Sequence, residues 1–352
     1  MTDPDNQTPT DAGGSRLKSA IGFAVRAAVS IGLITLLLAN IDRDALLDQF
    51  RDIELSWALA AAVLLFSLAF VQAVRWIVVL KACDSSVRYW DSLRIVLIGQ
   101  FFNQTLPSAI GGDAVRMWEA RRAGLPLRIA VTSIVIDRLL GLAAVLVVVG
   151  VGLPRMLGLI DDPVARNGYA LAIVGLICCY VGLLGFSRIW PKRLRFKIVD
   201  AVLKLSEDAR LVLLAPKASA QALGLAVLAQ IGLGLCVNSL ARSIGAEIPV
   251  SDCILLFSPV IIFSTLPISV AGWGAREGAM VVVFGLIGLA KPDALAISLL
   301  FGLISILEIS LLFGLISILV AMPGGALWLI ARRRGETMPA SVQAVGEPTN
   351  SR

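Results

Sequence analysis

Long apolar segments alternate with short polar ones along most of the chain. Six segments are apolar over about 20 residues, the length that crosses a bilayer as an α-helix; these are residues 21–39, 57–80, 127–150, 168–187, 219–240 and 293–322. Two more apolar regions are interrupted by polar, glycine-bearing stretches, and the run Leu93 to Leu106 would measure only about 20 Å as a helix. The pattern predicts an all-α polytopic membrane protein with about six full transmembrane helices and two broken segments.

The two polar breaks resemble each other at a spacing of 160 residues. The first runs from Asn103 to Arg116 and the second from Thr265 to Arg276. Identical residues recur at matching positions: Thr105 and Thr265, Leu106 and Leu266, Pro107 and Pro267, Gly112 and Gly272, and Arg116 and Arg276. Paired glycine or proline interruptions in the two halves of a membrane protein indicate a transport site. The breaks therefore predict a duplicated, substrate-binding element.

Basic residues place both sides of the first break at the same membrane face. They lie before and after it, at Lys81, Arg88, Arg94, Arg121 and Arg128. Because lysine and arginine accumulate in cytoplasmic loops, we expect a re-entrant hairpin with residues 81 and 125 both in the cytoplasm. Three full crossings separate the breaks, so the second hairpin is expected to enter from outside and to complete an inverted repeat. Eight full crossings are the alternative.

The same charge pattern predicts that the chain lies in the cytoplasmic (inner) membrane with both termini in the cytoplasm. Three regions are predicted along the chain. Residues 1–19 are rich in Pro, Asp, Thr and Gly and predict a disordered tail. Residues 20–330 are predicted as the transmembrane domain, within which the basic segment 191–214 has the apolar period of an amphipathic surface helix. Residues 331–352 are predicted as a basic and polar cytoplasmic tail.

Composition supports the membrane assignment and excludes several kinds of chemistry. Of the 352 residues, 57% are hydrophobic and 16% are charged, which is too apolar for a soluble domain with a charged surface. The net charge of +6 is interpreted as basic loops facing anionic lipid, so no nucleic-acid partner is predicted. The chain has no histidine, which excludes catalysis by histidine, and its five cysteines form no CxxC pair. We predict no disulfide, no metal site and no cofactor.

Each break ends in glycines and then opens a helix, which is a favourable place for an anion. Unpaired N–H groups and the positive end of the helix dipole attract phosphate, and glycine lets a ligand approach the backbone. The candidate substrate-binding residues are Asn103, Pro107, Gly111, Gly112, Asp113 and Arg116 at the first break, and Pro267, Gly272, Gly274, Arg276 and Glu277 at the second. The arginines would offer forked donors to phosphate oxygens, whereas the carboxylates would cap their helices or contact a cationic part of a headgroup. Helix caps and tight packing without a ligand are the alternative.

Charged residues also lie within the predicted spans, where they are costly. Asp137 and Arg138 are near the middle of one span, and adjacent residues on a helix point about 100° apart, so each is expected to face another partner across the bundle. A helix–helix clamp and a substrate contact are both compatible with this pair. Glu308 has no basic neighbour and is predicted to contact substrate. Arg75 is interpreted as snorkelling to the membrane surface, since it lies near the end of its span.

At the two breaks and the Asp137-Arg138 pair the chain resembles the lysylphosphatidylglycerol synthase transmembrane family. In full-length members of this family the flippase-like domain precedes a cytoplasmic aminoacyl-transferase domain. The resemblance covers nearly all of residues 20–330 and is carried by Asn103, Leu106-Pro107, Gly111-Gly112-Asp113, Arg116, Asp137-Arg138, Pro267 to Gly272, Gly274, Arg276 and Glu277. It implies lipid translocation between leaflets, and the family also includes proteins linked to the assembly of glycolipids or polyprenyl-linked glycans. The sequence ends at Arg352 after a short polar tail, so lipid-aminoacylating activity is not expected.

Two classes of function are compatible with the sequence. The first is a translocator, or flippase, whose partner is an anionic phospholipid, an aminoacylated lipid or a glycolipid headgroup. The second is a membrane glycosyltransferase or an accessory subunit in glycolipid or polyprenyl-linked glycan assembly. An enzyme that uses nucleotide sugars normally has a sizeable aqueous domain or a carboxylate-rich loop for Mg²⁺, whereas the longest predicted cytoplasmic loop is basic and amphipathic. We therefore expect a translocator without enzymatic activity, and a homo-oligomer is compatible with the pattern.

Overall fold

The regular elements of the described chain are all α-helices. A computed structural model describes residues 12–39, 43–105, 111–189, 215–265, 269, 272–308 and 310–311. The helices are α1 (Ala12–Ala39), α2 (Arg43–Arg51), α3 (Leu55–Ala82), α4 (Tyr89–Thr105), α5 (Gly111–Arg122), α6 (Leu127–Leu159), α7 (Pro163–Ile189), α8 (Pro216–Ser243), α9 (Val250–Thr265), α10 (Ala275–Gly285) and α11 (residues 291–308). All of them belong to the unit Met1–Ile309; of the second unit, Ser310–Arg352, the described residues 310 and 311 are helical.

Several sequence predictions fall on segments outside the described residues. These are the breaks' prolines Pro107 and Pro267, the amphipathic segment 191–214 and the tail 331–352. The other predicted tail, residues 1–19, overlaps α1, which begins at Ala12. Residues 12–20 contain no proline, since the last proline before α1 is Pro9. The helix can therefore begin ahead of the apolar span 21–39.

Four described helices are long and apolar enough to cross a membrane. They are α3, α6, α8 and the segment Pro163–Gly185 of α7. The predicted span 21–39 lies within α1, and α11 covers the beginning of the predicted span 293–322. The fold is therefore that of a polytopic helical membrane protein, as the alternation of apolar and polar segments predicts.

Helices α3 and α8 run antiparallel and form part of the buried core. At one end the Glu54 N–H donates to the Ser243 carbonyl oxygen at 2.8 Å, which places the start of α3 beside the end of α8. Further in, the Cys236 Sγ lies 3.6 Å from the Ala61 carbonyl oxygen, and both residues are fully buried. Gly232 supports this close packing, because a Cβ there would lie 2.6 Å from a methyl group of Leu68. The two ends of α3, the Leu55 end and the Ala82 end, define the two ends of the bundle.

Helices α4 and α5 form the first re-entrant hairpin. Near its mouth Arg94 of α4 pairs with Glu119 of α5 at 3.1 Å, and near its tip the Gly112 N–H donates to the Asn103 Oδ1 at 3.2 Å. The Ser92 hydroxyl donates to the Ala73 carbonyl oxygen of α3 at 3.0 Å. The hairpin therefore enters and leaves at the Ala82 end of the bundle.

Helices α9 and α10 form a second hairpin that enters from the opposite end. The start of α9 is held to the end of α6 by a two-bond pair between Arg155 and Asp252, at 3.1 and 2.9 Å. After the hairpin, Asp293 of α11 accepts a hydrogen bond from Gln49 of α2 at 3.0 Å, close before the start of α3. Both connections lie at the Leu55 end, so the two hairpins have the inverted relation predicted from the breaks.

The described hairpin helices are short for full crossings, which favours re-entrant hairpins over the alternative of eight full crossings. The four hairpin helices α4, α5, α9 and α10 have 17, 12, 16 and 11 residues. At 1.5 Å per residue the longest measures about 26 Å, which is shorter than the hydrocarbon core of about 30 Å. Because α4 and α5 also pack antiparallel, they do not form a single span together.

Cysteine labelling tests this arrangement and its orientation. In a chain whose five native cysteines are replaced, Lys81→Cys and Ala123→Cys are expected to react with a membrane-impermeant maleimide from the cytoplasmic side. Both positions are exposed and flank the first hairpin, whereas Leu125 is buried and unsuitable for labelling. Glu247→Cys and Lys291→Cys, which flank the second hairpin, are expected to react from the other side. Labelling of Lys81→Cys and Ala123→Cys from opposite sides would contradict the re-entrant hairpin.

Candidate functional site

Five charged residues from three helices form a continuous ion-pair network at the first hairpin. They are Arg75 of α3, Asp113 and Arg116 of α5, and Asp137 and Arg138 of α6, and they are called the arginine–aspartate cluster below. The Arg75 Nε donates to the Asp137 Oδ1 at 2.7 Å. The Arg138 Nε and Nη2 donate to the two oxygens of Asp113 at 2.8 and 2.9 Å. Arg116 Nη1 lies between the carboxylates, 3.4 Å from Asp137 and 3.7 Å from Asp113.

Local helix geometry explains how these side chains meet. Asp113, in the first turn of α5, and Arg116, in the second turn, are three residues apart and so share one face. Asp137 and Arg138 are adjacent on α6 and point in different directions, so that Asp137 meets Arg75 and Arg116 whereas Arg138 meets Asp113. The prediction that each member of this pair faces a different partner is confirmed.

The cluster carries one more positive than negative charge. Three arginines face two aspartates, which gives a net charge of +1 at neutral pH. Both aspartates have a close partner other than Arg116, so the excess charge is on the Arg116 guanidinium. Its Nε and Nη2 atoms are buried and have no hydrogen-bond partner among the described residues. Its face lies 5.3 Å from the centre of the buried Trp76 ring, which supplies a weak cation–π contact.

Exposure is graded across the cluster. The side chain of Asp137 is 0% exposed and that of Arg116 is 2% exposed, whereas that of Arg138 is 49% exposed. Burial of ionised groups is expensive unless they are paired and hydrogen-bonded. Arg138 is therefore the member that a molecule from outside the bundle can reach, and Arg116 is the one with unused donors.

Glycines let the hairpin close over the buried arginine. A Cβ at Gly112 would overlap the Gly99 carbonyl oxygen and the Asn103 side chain, and a Cβ at Gly99 would overlap the Arg116 side chain. The predicted site residues Asn103, Gly111 and Gly112 thus lie near the tip, with the side-chain Oδ1 of Asn103 accepting from the Gly112 N–H. These residues hold the start of α5 against the end of α4.

The second hairpin holds a smaller, electrically neutral pair. Glu277 is fully buried, and its Oε1 accepts from the Arg276 Nη2 at 2.6 Å. Its Oε2 accepts from the Gly274 N–H at 2.6 Å, so Glu277 caps α10 as the sequence suggested. The Arg276 Nε donates to the Ser298 hydroxyl of α11 at 3.2 Å, and the guanidinium lies 5.0 Å from the Trp273 ring centre.

Two glycines of the second tip adopt a backbone conformation that side chains disfavour. Gly272 has a φ of 80° and Gly274 a φ of 86°, in the left-handed region. A Cβ at Gly274 would also lie 2.9 Å from the Leu33 Cβ of α1. The tip of the second hairpin is therefore covered by α1, which requires glycine at this position.

The internal repeat is visible in the contacts as well as in the sequence. Arg116 contacts Asp137 of the helix that follows its hairpin, and Arg276 likewise contacts Ser298 of the helix that follows its own. Ser298 stands 160 residues after Arg138, the same offset that relates the two breaks. The repeat keeps the arginine position but changes the charges that surround it.

One sequence interpretation changes when the structure is considered. Arg75 does not snorkel: its side chain is 11% exposed and is bound to Asp137 inside the bundle. Glu308 is half-buried on α11 and makes no ion pair with a described residue, and its predicted contact with substrate stays a prediction. The ion pair of Arg75 with Asp137 could have been predicted, because an arginine within a membrane span usually pairs with an acidic residue inside the bundle, and Asp137 lies within another predicted span.

The fold and these sites define an α-helical membrane protein with two oppositely directed re-entrant hairpins, each with a buried arginine at its tip. The chain belongs to the lysylphosphatidylglycerol synthase TM region family, whose model matches residues 23–314. No protein of curated function matches the chain. The family membership indicates a role connected with membrane lipids.

Proposed function

We propose that the protein translocates a phospholipid or a lipid-linked headgroup across the cytoplasmic membrane, with both chain termini in the cytoplasm. The phosphate is bound at the two hairpin tips, which carry Arg116 and Arg276. The observation that supports this most strongly is the inverted pair of hairpins, each with a buried arginine within the first two turns of its second helix. Inverted repeats with broken helices at membrane depth are the architecture of alternating-access transporters.

The depth of the two arginines suits a headgroup path. Asp137, which marks the level of Arg116, is the tenth residue after Leu127, so it lies about 15 Å along α6 from the Ala82 end. Ser298, which marks the level of Arg276, is the seventh residue after 291, so it lies about 10 Å along α11 from the Leu55 end. The two sites are therefore reached from opposite faces and lie at different depths.

Polar groups at these depths would lower the barrier to headgroup crossing. A headgroup that enters hydrocarbon loses its hydrogen bonds to water, which costs several kcal/mol for each unsatisfied polar group. Helix N-terminal N–H groups and guanidinium donors replace part of that hydration, while the acyl chains stay in lipid. A translocator needs only this exchange of partners and no covalent chemistry.

Reconstitution tests the proposal against the enzymatic alternative. Purified protein in liposomes is expected to make a fluorescent phospholipid in the inner leaflet accessible to dithionite, beyond the level of protein-free liposomes. Incubation with nucleotide-sugar or aminoacyl donors is expected to give no new covalent lipid by mass spectrometry. A glycosylated or aminoacylated product without any gain in lipid accessibility would refute translocation and favour a membrane glycosyltransferase or another transferase.

A further inference from the structure

The arginine–aspartate cluster holds three arginines and two aspartates, so one positive charge is not compensated within it. A guanidinium that is 2% exposed and has two nitrogens without a partner in the described part of the chain is an uncommon arrangement, because buried charges are normally paired. The nearest carboxylates cannot neutralise it, since Asp137 is held at 2.7 Å by Arg75 and Asp113 at 2.8 Å by Arg138. The site lacks one negative charge, and the donors that lack an acceptor are on the same side chain.

We propose that this cluster selects a ligand by its net charge, and that its ligand is a phosphodiester monoanion, the group found in singly charged phospholipid headgroups. The inference rests on the proposed function and specifies the substrate class of the first hairpin. Two phosphodiester oxygens match the edge formed by Nε and Nη2 of Arg116, since guanidinium binds phosphate through two parallel N–H···O bonds. One negative charge brings the net charge of the cluster to zero.

Other headgroup charges fit the cluster less well. A cationic group would add a fourth positive charge next to three arginines, and both carboxylates are already engaged by arginine. A phosphomonoester, which carries close to two negative charges at pH 8, would leave the buried site net negative. The neutral pair Arg276–Glu277 at the second hairpin has no such charge preference.

Access to Arg116 leads past the pair of Arg138 and Asp113. The Arg138 side chain is 49% exposed, so an anion meets this guanidinium first. Asp113 contacts both Arg138 and Arg116 and so links the accessible arginine to the buried one. Asp113 thereby sets how much positive charge the entering ligand meets, and we infer that it determines specificity.

Charge-changing variants provide the test. Liposomes contain fluorescent phosphatidylglycerol, phosphatidic acid and phosphatidylcholine, which at pH 8 have about one, two and zero net negative charges. The wild-type protein is expected to translocate phosphatidylglycerol fastest. Asp113→Asn raises the cluster to +2 and is expected to move the preference towards phosphatidic acid by about tenfold or more. Arg138→Gln lowers it to zero and is expected to move the preference towards phosphatidylcholine.

Arg155→Gln is the matched control. It removes an arginine from the same helix and breaks a comparable two-bond pair with aspartate, but at the Leu55 end and outside the cluster. Its lipid preference is expected to equal that of the wild type. If Asp113→Asn does not fold in detergent, Arg138→Gln alone carries the comparison, because the half-exposed Arg138 side chain tolerates a neutral replacement.

A binding measurement separates lipid from free phosphate and separates this inference from the proposed function. In detergent at pH 6, where inorganic phosphate is mainly a monoanion, phosphatidylglycerol and inorganic phosphate are each expected to raise the unfolding temperature of the wild type, and Arg138→Gln is expected to lose most of both shifts. A shift with inorganic phosphate but not with the lipid would overturn the lipid as ligand. Failure of the wild type to translocate any lipid, with the charge-dependent shifts intact, would refute translocation and leave the anion site. Equal lipid preferences in wild type, Asp113→Asn and Arg138→Gln would overturn the charge selection.

Discussion

Replacement of Asp137 by asparagine is expected to lower the free energy of unfolding by about 3 to 5 kcal/mol. Asp137 is fully buried and accepts from Arg75 at 2.7 Å and from Arg116 at 3.4 Å. Asparagine keeps the size of the side chain but removes the charge, which would leave Arg75 and Arg116 together inside the bundle without the carboxylate. Removing one partner of a buried ion pair lowers the free energy of unfolding by more than the pair's net contribution, because the remaining ion is still desolvated but has lost its partner.

Reversible unfolding in mixed detergent micelles measures this effect. Asp48→Asn is the control, since Asp48 forms an ion pair with Arg51 in which both side chains are well exposed. Exposed pairs contribute little, so this variant is expected to unfold like the wild type. If Asp137→Asn also unfolds like the wild type, the cluster is not the stabilising connection between α3, α5 and α6 that the geometry indicates.

The architecture could be predicted from the sequence because its determinants are local. A run such as Leu93 to Leu106 is too short to cross, and basic residues on both sides allow only a return to the same face. The offset of 160 residues between Pro107 and Pro267, or between Arg116 and Arg276, indicates a repeat, and the three predicted crossings between the breaks predict the inverted relation of the hairpins. None of these steps requires knowledge of which helices are neighbours.

The partners of the buried charges depend on helix packing and could be predicted only in part. The angular separation of Asp137 and Arg138 was sufficient to predict that each meets a different residue. It did not identify Arg75, 62 residues away, because a position near the end of a span suits both a snorkelling side chain and an internal ion pair. Only the packing of α3 against α6 decides between these alternatives.

Adjacent residues on a helix do pair at the second hairpin, in contrast to the first. Arg276 and Glu277 are neighbours in the first turn of α10, yet the Nη2 and Oε1 atoms are 2.6 Å apart. Both side chains are long, and Glu277 turns back to cap the Gly274 N–H, which brings its carboxylate towards the arginine. The same residue types that predict a pair of phosphate sites thus form a cluster with surplus charge at one tip and a closed, neutral pair at the other.

This difference leads to opposite expectations for the stability of two arginine variants. Without Arg116, the two aspartates of the cluster keep their close partners Arg75 and Arg138, and the net charge falls to zero. Without Arg276, the fully buried Glu277 loses its guanidinium partner and keeps only the Gly274 N–H and the Ser298 hydroxyl. Arg276→Ala is therefore expected to be less stable than the wild type, and Arg276→Ala combined with Glu277→Gln is expected to recover part of the loss.

Arg116→Met is expected to fold at least as stably as the wild type and to translocate lipid about ten to a hundred times more slowly. Methionine fills much of the same volume beside Gly99 and Trp76, and replacing a buried charge by an apolar side chain of similar size is often neutral or stabilising. Loss of a charge-assisted hydrogen bond to phosphate costs roughly 1.5 to 3 kcal/mol of binding free energy, which gives the expected factor.

Unfolding in micelles and dithionite accessibility in liposomes, measured on the same Arg116→Met preparation, test both parts. Arg116→Lys separates charge from geometry: it retains the positive charge but lacks the forked edge of Nε and Nη2, so its rate is expected to lie between those of Arg116→Met and the wild type. A variant with wild-type stability and slow translocation would mean that Arg116 is kept for the ligand, since the cluster is fully paired without it. Strong destabilisation of Arg116→Met, with a wild-type rate for the folded fraction, would instead make Arg116 a packing residue between α4 and α6.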